Sequence, residues 1–105
     1  MILQHLRAIE VGGGIAASYA GKLLADAGAD VIKVEPHGGE PLRRWSASGA
    51  ELRDTDGPLF QFLNTSKRSV VGDPGDPSMS DLLASADILI DATVQGLASA
   101  SMVAE

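Results

Sequence analysis

The chain of 105 residues has no cysteine. A disulfide framework, a thiolate metal site and a cysteine nucleophile are therefore excluded. Aromatic residues make up only 4% of the chain, so the core has to be built from alanine, leucine, valine and isoleucine. Side chains of this kind favour close packing of helices on a sheet.

Basic residues are few: 8 lysines and arginines stand against 14 acidic residues, which gives a formal net charge of -6. This balance argues against non-specific nucleic-acid binding through a broad basic face. No apolar run approaches the roughly 18 residues that a membrane-spanning helix needs. Residues 1–7 lack the pattern of a secretory signal. We therefore expect a cytoplasmic protein with no nucleic-acid partner and no membrane partner.

What is present fits one small folded domain, residues 1–105. Apolar residues make up 45% of the sequence, which excludes wholesale disorder. A domain of this size buries a modest fraction of its surface and is marginally stable alone. We expect it to belong to a longer chain.

The clearest local pattern is a strand, a helix and a second strand. Arg7–Val11 is predicted as the first strand and ends at three consecutive glycines. Residues 16–27 have apolar side chains at helical spacing, and Gly28 suits the end of that helix. Asp30–Glu35 is the second strand, and its apolar run is typical of a parallel strand covered on both faces. The predicted inward face of the helix consists of Ala16, Ala20, Leu23, Leu24 and Ala27.

The rest of the chain repeats this alternation after a long polar segment, residues 36–56, which is predicted as a loop. The later predicted elements are a short helix at 59–63, a strand at Arg68–Val71, a helix at 78–85, a strand at 87–91 and a helix at 95–103. Ser78 is predicted to cap the helix at 78–85, with Met79, Leu82 and Leu83 inward. Strands that alternate with helices predict an α/β fold.

One motif points to a nucleotide ligand. Residues 12–17 fit the pattern G-x-G-x-x-A between a strand and a helix, and Glu35 follows about 20 residues later. In such a turn the glycines let a pyrophosphate approach the backbone, and the carboxylate accepts a hydrogen bond from a ribose hydroxyl. A module that binds NAD or FAD is therefore one hypothesis. Glycine turns also occur in βαβ units for packing alone, and there Glu35 is a solvated side chain at the end of a strand.

A longer set of motifs is more specific than the glycine turn. Residues 16–20 read A-A-S-Y-A, residues 23–36 read L-L-A-D-A-G-A-D-V-I-K-V-E-P, residues 38–45 read G-G-E-P-L-R-R-W, and residues 64–69 read N-T-S-K-R-S. On these blocks, from about residue 7 to residue 90, the chain resembles the family III CoA transferases. That family includes carnitine CoA-transferase, formyl-CoA transferase and α-methylacyl-CoA racemase.

The resemblance implies a Rossmann-like, mostly parallel sheet with helices on both faces, incomplete relative to the family. It also implies a coenzyme A or acyl-CoA ligand, no metal, and a homodimer of interlocked subunits. In the family a catalytic aspartate takes the acyl group as a mixed anhydride or acts as a base beside the acyl α-carbon. That aspartate lies beyond the last matching block, so no residue of this chain is assigned a catalytic role. We expect the chain alone to be inactive. The acyl group, and the choice between transfer and racemisation, stay open.

The resemblance also implies a set of binding residues. The residues expected to contact coenzyme A are Ile15, Ala16, Arg43, Lys67, Arg68, Gly72, Asp73, Ala92 and Thr93. Guanidinium groups suit phosphate geometry, so the basic members, together with Arg44, are expected at the phosphates. The alternative for these basic residues is a solvated loop and the entry to a strand.

The chain also departs from the family pattern. The family's A-G-P becomes A-A-S at residues 16–18, and its S-V-x-L-D becomes S-V-V-G-D at residues 69–73. In the family's E-N-F-x-P-G, the asparagine and phenylalanine that line the CoA pocket become Ala92 and Thr93. Loss of an amide and an aromatic ring is expected to weaken coenzyme A binding. A second hypothesis is therefore a non-catalytic domain that keeps the fold for assembly. We further expect the isolated chain to associate or to be marginally stable, because its apolar strands need cover.

Overall fold

The computed structural model describes residues 2–49, 52, 55–73 and 75–93. Within them the chain forms four strands, three α-helices and one 3-10 turn. The elements are β1 Arg7–Val11, α1 Ile15–Asp26, β2 Asp30–Glu35, the 3-10 turn Pro41–Arg44, α2 Pro58–Asn64, β3 Arg68–Val71, α3 Pro77–Ala84 and β4 Ile88–Asp91. The helix predicted at 95–103 lies outside the described residues. No described helix has the length and apolarity to cross a membrane.

The four strands form one parallel sheet in the order β3-β2-β1-β4. This is the strand order of a Rossmann-type half, and it confirms the predicted α/β class. In the register of the central strands, Ile9 lies opposite Ile32 on one side and Leu89 on the other. Because all strands run the same way, the loops after β1, β2, β3 and β4 meet at the carboxyl edge of the sheet.

Helices cover both faces of the sheet, as predicted. On one face, Ile9, Val11, Ile32 and Val34 form an apolar core with Leu83 of α3. On the other face, Ala8 and Val31 pack against Ala25 of α1 and Ala29 just after it. Side chains alternate between the two faces along a strand, so β1 and β2 each contribute to both layers.

Helix α1 has the predicted length, but its buried face is not the predicted one. Its inward residues are Ala17, Ser18, Gly21 and Ala25, whereas Ala16 is exposed and Leu23 is 52% exposed. The predicted face was therefore only partly right: Leu24 packs against the core, whereas Ala16 and Leu23 do not. The helix approaches the sheet closely, and small side chains fit at the contact. Beyond its end, Gly28 has φ 104°, the left-handed conformation expected of a glycine at that position.

Helix α3 begins one residue before the predicted start. Asp76 occupies the N-cap position, Pro77 is the first helical residue, and Ser78 lies inside the helix, so the prediction of Ser78 as the cap was wrong. Proline suits the first helical position because the missing N–H has no partner there in any case. Leu83 is buried, and Met79 and Leu82 pack against the apolar core, which confirms their predicted inward position.

Candidate functional site

The turn after β1 is built from three glycines with positive φ: Gly12 at 101°, Gly13 at 65° and Gly14 at 90°. Only glycine adopts three such angles in succession without strain. A Cβ on Gly12 would also overlap the backbone of Ala92, just after β4. The glycines therefore bring the turns after the two neighbouring strands into direct contact.

Two adjoining pockets open at this carboxyl edge. The first has a volume of about 340 Å³ and is lined by the ends of β1 and β2 and by residues that follow all four strands: Val11, Gly12, Gly13, Val34, Pro36, His37, Glu40, Pro41, Gly72, Asp73 and Thr93. The second, of about 390 Å³, lies at the start of α1 and is lined by Gly12, Gly14, Ile15, Glu40, Pro41, Leu42 and Trp45. Open α/β sheets bind their ligands at this edge, so the two pockets are the candidate site.

Several of the predicted binding residues meet here. Ile15, which is 54% exposed, lines the second pocket, and Gly72, Asp73 and Thr93 line the first. Ala16 is exposed on the first turn of α1. Ala92 is exposed beside the glycine turn, and its N–H donates to the carbonyl of Val11 at 2.8 Å. The Thr93 hydroxyl donates to Asp91 Oδ1 at 2.6 Å.

Arg43 lies beside this edge, but carboxylates hold its guanidinium group. Nε and Nη2 donate to the two oxygens of Glu35 at 2.7 Å each, and Nη1 donates to Asp56 at 2.7 Å. The guanidinium carbon lies 4.2 Å from the centre of the Phe60 ring. The expectation of a solvated Glu35 was wrong, because this side chain is 2% exposed and also accepts from the Ser69 hydroxyl.

The ionisation of Glu35 follows from these contacts. Burial opposes the charged form, but the hydrogen bonds from Arg43, from Ser69 and from the backbone of Glu40 outweigh burial and lower the pKa of Glu35 from 4.5 to about 2. Its hydrogen bonds to Glu35 and Asp56 raise the pKa of Arg43 further above its ordinary value. The charged Glu35 side chain therefore holds the loop after β2 in place through its hydrogen bonds with Glu40 and Arg43.

Lys67 and Arg68 lie away from the two pockets. The Lys67 ammonium is buried against α1, where it donates to the carbonyl of Ser18 and to Asn64 Oδ1 at 2.8 Å each and pairs with Glu10 at 2.5 Å. Burial lowers the pKa of Lys67, and the carboxylate of Glu10 partly opposes this. Arg68 begins β3 at the amino edge of the sheet and pairs with Asp30 at 2.6 Å.

A buried ion pair between the central strands escaped the sequence analysis. Lys33 Nζ lies 3.1 Å from Glu10 Oε1, 2.9 Å from Glu40 Oε2 and 3.0 Å from the Ser18 hydroxyl. The side chains of Lys33, Glu10 and Glu40 are between 0 and 4% exposed. The available signal was strand alternation: Glu10 and Lys33 are register partners and share a face with Ala8 and Val31.

Glu40 joins this buried cluster to the glycine turn. Its Oε1 accepts the N–H of Gly14 at 2.5 Å, and its own N–H donates to Glu35 Oε1 at 2.9 Å.

Two further side chains at the carboxyl edge of the sheet, those of His37 and Arg44, have fewer contacts. His37 is exposed on the rim of the first pocket, and Arg44 is exposed and donates to the carbonyl of Gly38 at 3.2 Å. Among the described residues, Arg44 has no carboxylate partner.

Comparison with known proteins gives a consistent result. The model of CoA-transferase family III matches residues 3–102. The chain is 37% identical to the succinate–glutarate CoA-transferase of Agrobacterium fabrum, over 85% of this chain and 24% of that protein. It is 36% identical to the cinnamoyl-CoA:phenyllactate CoA-transferase of Clostridium sporogenes, over 81% of this chain and 22% of that protein.

The solved structures agree with the sequence comparisons. A CaiB/BaiF family protein from Brucella suis superposes with a TM-score of 0.70 and 30% sequence identity, over 84% of this chain and 25% of that one. Rv3272 from Mycobacterium tuberculosis gives a TM-score of 0.67 at 31% identity, over 83% of this chain and 24% of that one. The chain thus spans about a quarter of the length of these relatives.

Proposed function

Because the chain belongs to CoA-transferase family III, we propose that it is the coenzyme A-binding N-terminal domain of an enzyme that transfers or racemises acyl-CoA. One observation carries the proposal beyond family membership. Ile15, Gly72, Asp73 and Thr93 come from three separate parts of the chain and line two adjoining pockets at the carboxyl edge of the sheet. Open parallel sheets bind their ligands at this edge.

Basic side chains are suitable partners for the phosphates of coenzyme A. The basic residues of this chain differ in whether a carboxylate already pairs with them. Arg44 is exposed and has no carboxylate partner among the described residues, so it is the basic residue that we place at a phosphate. Arg43, Lys67 and Arg68 stay predictions. At each of these, a phosphate has to compete with an existing carboxylate partner, namely Glu35, Glu10 or Asp30.

In this proposal the pockets bind and orient the acyl-CoA, and the nucleophile comes from outside this chain. We assign the catalytic aspartate to no residue of this chain, and we expect residues 1–105 to show no transferase or racemase activity, because covalent catalysis needs its nucleophile. The homodimer and the cytoplasmic location also stay predictions.

Calorimetry of the 105-residue chain with coenzyme A tests the proposal, and α1 offers a matched pair of variants. Ile15 and Leu23 are both exposed, at 54% and 52%, but only Ile15 lines a pocket. We expect Ile15→Asp to weaken coenzyme A binding at least tenfold and Leu23→Asp to leave it unchanged. Binding of NAD without binding of coenzyme A, or equal effects of the two variants, would contradict the proposal.

An assembly role is the second candidate, and the outer surface of α1 and α2 favours it. Tyr19, Leu23 and Phe62 are each at least half exposed, and Lys22 lies over the Phe62 ring at 4.7 Å. Apolar surface of this kind is typical of an interface. Light scattering over a concentration series tests this candidate. Association that Leu23→Asp abolishes supports an assembly role, whereas a stable monomer at every concentration excludes it for the isolated chain.

A further inference from the structure

The glycine turn has the features of an anion site. Helix α1 has 12 residues, no acidic residue in its first turn and no side-chain cap from Gly14. The free N–H groups and the dipole at such a helix start favour a negative charge. In dinucleotide-binding proteins the pyrophosphate of the ligand takes this position.

In this chain the side chain of Glu40, which lies 26 residues after Gly14 in the sequence, takes this position. Glu40 Oε1 lies 2.5 Å from the N of Gly14, and the side chain is 4% exposed. A Cβ on Gly13 would overlap this oxygen, so the absence of a side chain there admits the carboxylate. Glu40 comes directly before the 3-10 turn, and its own N–H is fixed by Glu35.

The charge of this carboxylate is also balanced. Glu40 Oε2 lies 2.9 Å from the buried ammonium of Lys33, which in turn lies 3.1 Å from Glu10. A buried ion that has both a cation and a backbone donor is costly to displace, because displacement leaves its partners buried and unpaired. The Gly14 N–H therefore already has a buried anionic partner.

We infer that Glu40 is a specificity-determining residue that closes the glycine turn to phosphate groups. A phosphate at Gly14 would have to displace the carboxylate or lie against it. Both pockets share Glu40, so an anionic group that enters either one finds the Gly14 N–H already occupied. In the first pocket the exposed carboxylate of Asp73 also repels a ligand's anionic groups. The pockets therefore receive an uncharged part of the ligand, and its phosphates lie outside the turn. This inference does not depend on coenzyme A being the ligand.

Amide NMR of the ¹⁵N-labelled 105-residue chain tests the inference, with inorganic phosphate and formate as probes. In the wild type we expect the Gly14 signal to stay unchanged as phosphate is added. In Glu40→Ala the removed carboxylate leaves a space beside Gly14 and Lys33, so formate is expected to shift the Gly14 signal saturably and to raise the melting temperature. Glu40→Gln keeps the side-chain volume and serves as the control, which formate should not affect.

The results of these titrations either support or overturn the role of Glu40. A saturable shift of Gly14 by phosphate in the wild type overturns the inference, as does a folded Glu40→Ala that ignores formate or a Glu40→Gln that binds it. If Glu40→Ala is unfolded in buffer, refolding by formate supports the inference and failure to refold contradicts it. Coenzyme A binding by the wild type is measured separately, so its absence would remove the proposed function and leave this result intact.

Discussion

The two faces of the sheet are built on different principles. Under α3 the core consists of aliphatic side chains such as Ile9, Ile32 and Leu83. Under α1 and α2 the alternate positions of the same strands carry Glu10 and Lys33 as a buried ion pair. Apolar contacts are non-directional and tolerate changes of similar volume. Buried charges need defined partners, so the charged face fixes the position of the loops that lead to the pockets.

The largest expected difference between the faces comes from neighbouring residues of β2. Lys33→Met leaves Glu10 and Glu40 buried without their shared cation, and we expect a loss of about 3–5 kcal/mol in the free energy of unfolding. Ile32→Val on the apolar face removes one methylene group and is expected to cost about 1 kcal/mol. Urea denaturation of both variants measures the two losses. Equal losses would show that the charged face contributes no more than packing.

Acid sensitivity is expected to come from the charged face as well. The pKa of Glu35 is lowered in the folded state from 4.5 to about 2, so its stabilising contribution is present above about 4.5 and is lost as the pH falls toward 2. The shift corresponds to about 3 kcal/mol. We expect the difference in unfolding free energy between wild type and Glu35→Gln to shrink over this range. A difference that is independent of pH would refute the assignment.

Gly21 tests the close approach of α1 to the charged face. Alanine is a better helix former than glycine by about 1 kcal/mol, so propensity alone predicts that Gly21→Ala stabilises the chain. A Cβ at this position, however, would overlap Glu10 Oε2. We therefore expect the opposite sign, a loss of about 1–3 kcal/mol from overpacking. Thermal melting of the variant decides between the two signs.

The smallest effect is expected at the amino edge, where charges are paired in solvent. The Arg68 and Asp30 side chains are 61% and 36% exposed, and exposed pairs contribute less than about 1 kcal/mol. Arg68→Ala should therefore change the melting temperature little, and the change should vanish at high salt. A loss of stability as large as that of Lys33→Met would mean that solvent exposure does not explain the difference between the exposed and the buried ion pairs.

Local patterns predicted most of the fold. The bounds of β1, β2 and β3 match the sequence-based ones, because β-branched residues, glycine turns and proline breaks act over a few residues. The inward face of α1 was predicted only in part, because alanine is apolar and small, so its spacing alone does not show which side approaches the sheet.

The charged part of the site was harder to predict. Lys33 and Glu10 are 23 residues apart, and their contact follows only from the register of β1 with β2. Within the sequence each is a single charged residue between two apolar neighbours. Ile15, Gly72, Asp73 and Thr93 line the pockets because they lie next to strand ends, and their contact with coenzyme A stays a prediction. The position of Glu40 depends on a loop whose course no local pattern indicates.

Mapping coenzyme A onto the ¹⁵N-labelled chain by amide NMR is the most direct test of a site at the carboxyl edge. We expect saturable shifts at Ile15, Gly72 and Thr93, which line the two pockets, and none at Asp30 and Arg68 on the opposite edge. Shifts confined to Asp30 and Arg68, or no shifts at coenzyme A concentrations that saturate its family's enzymes, would contradict the proposed site.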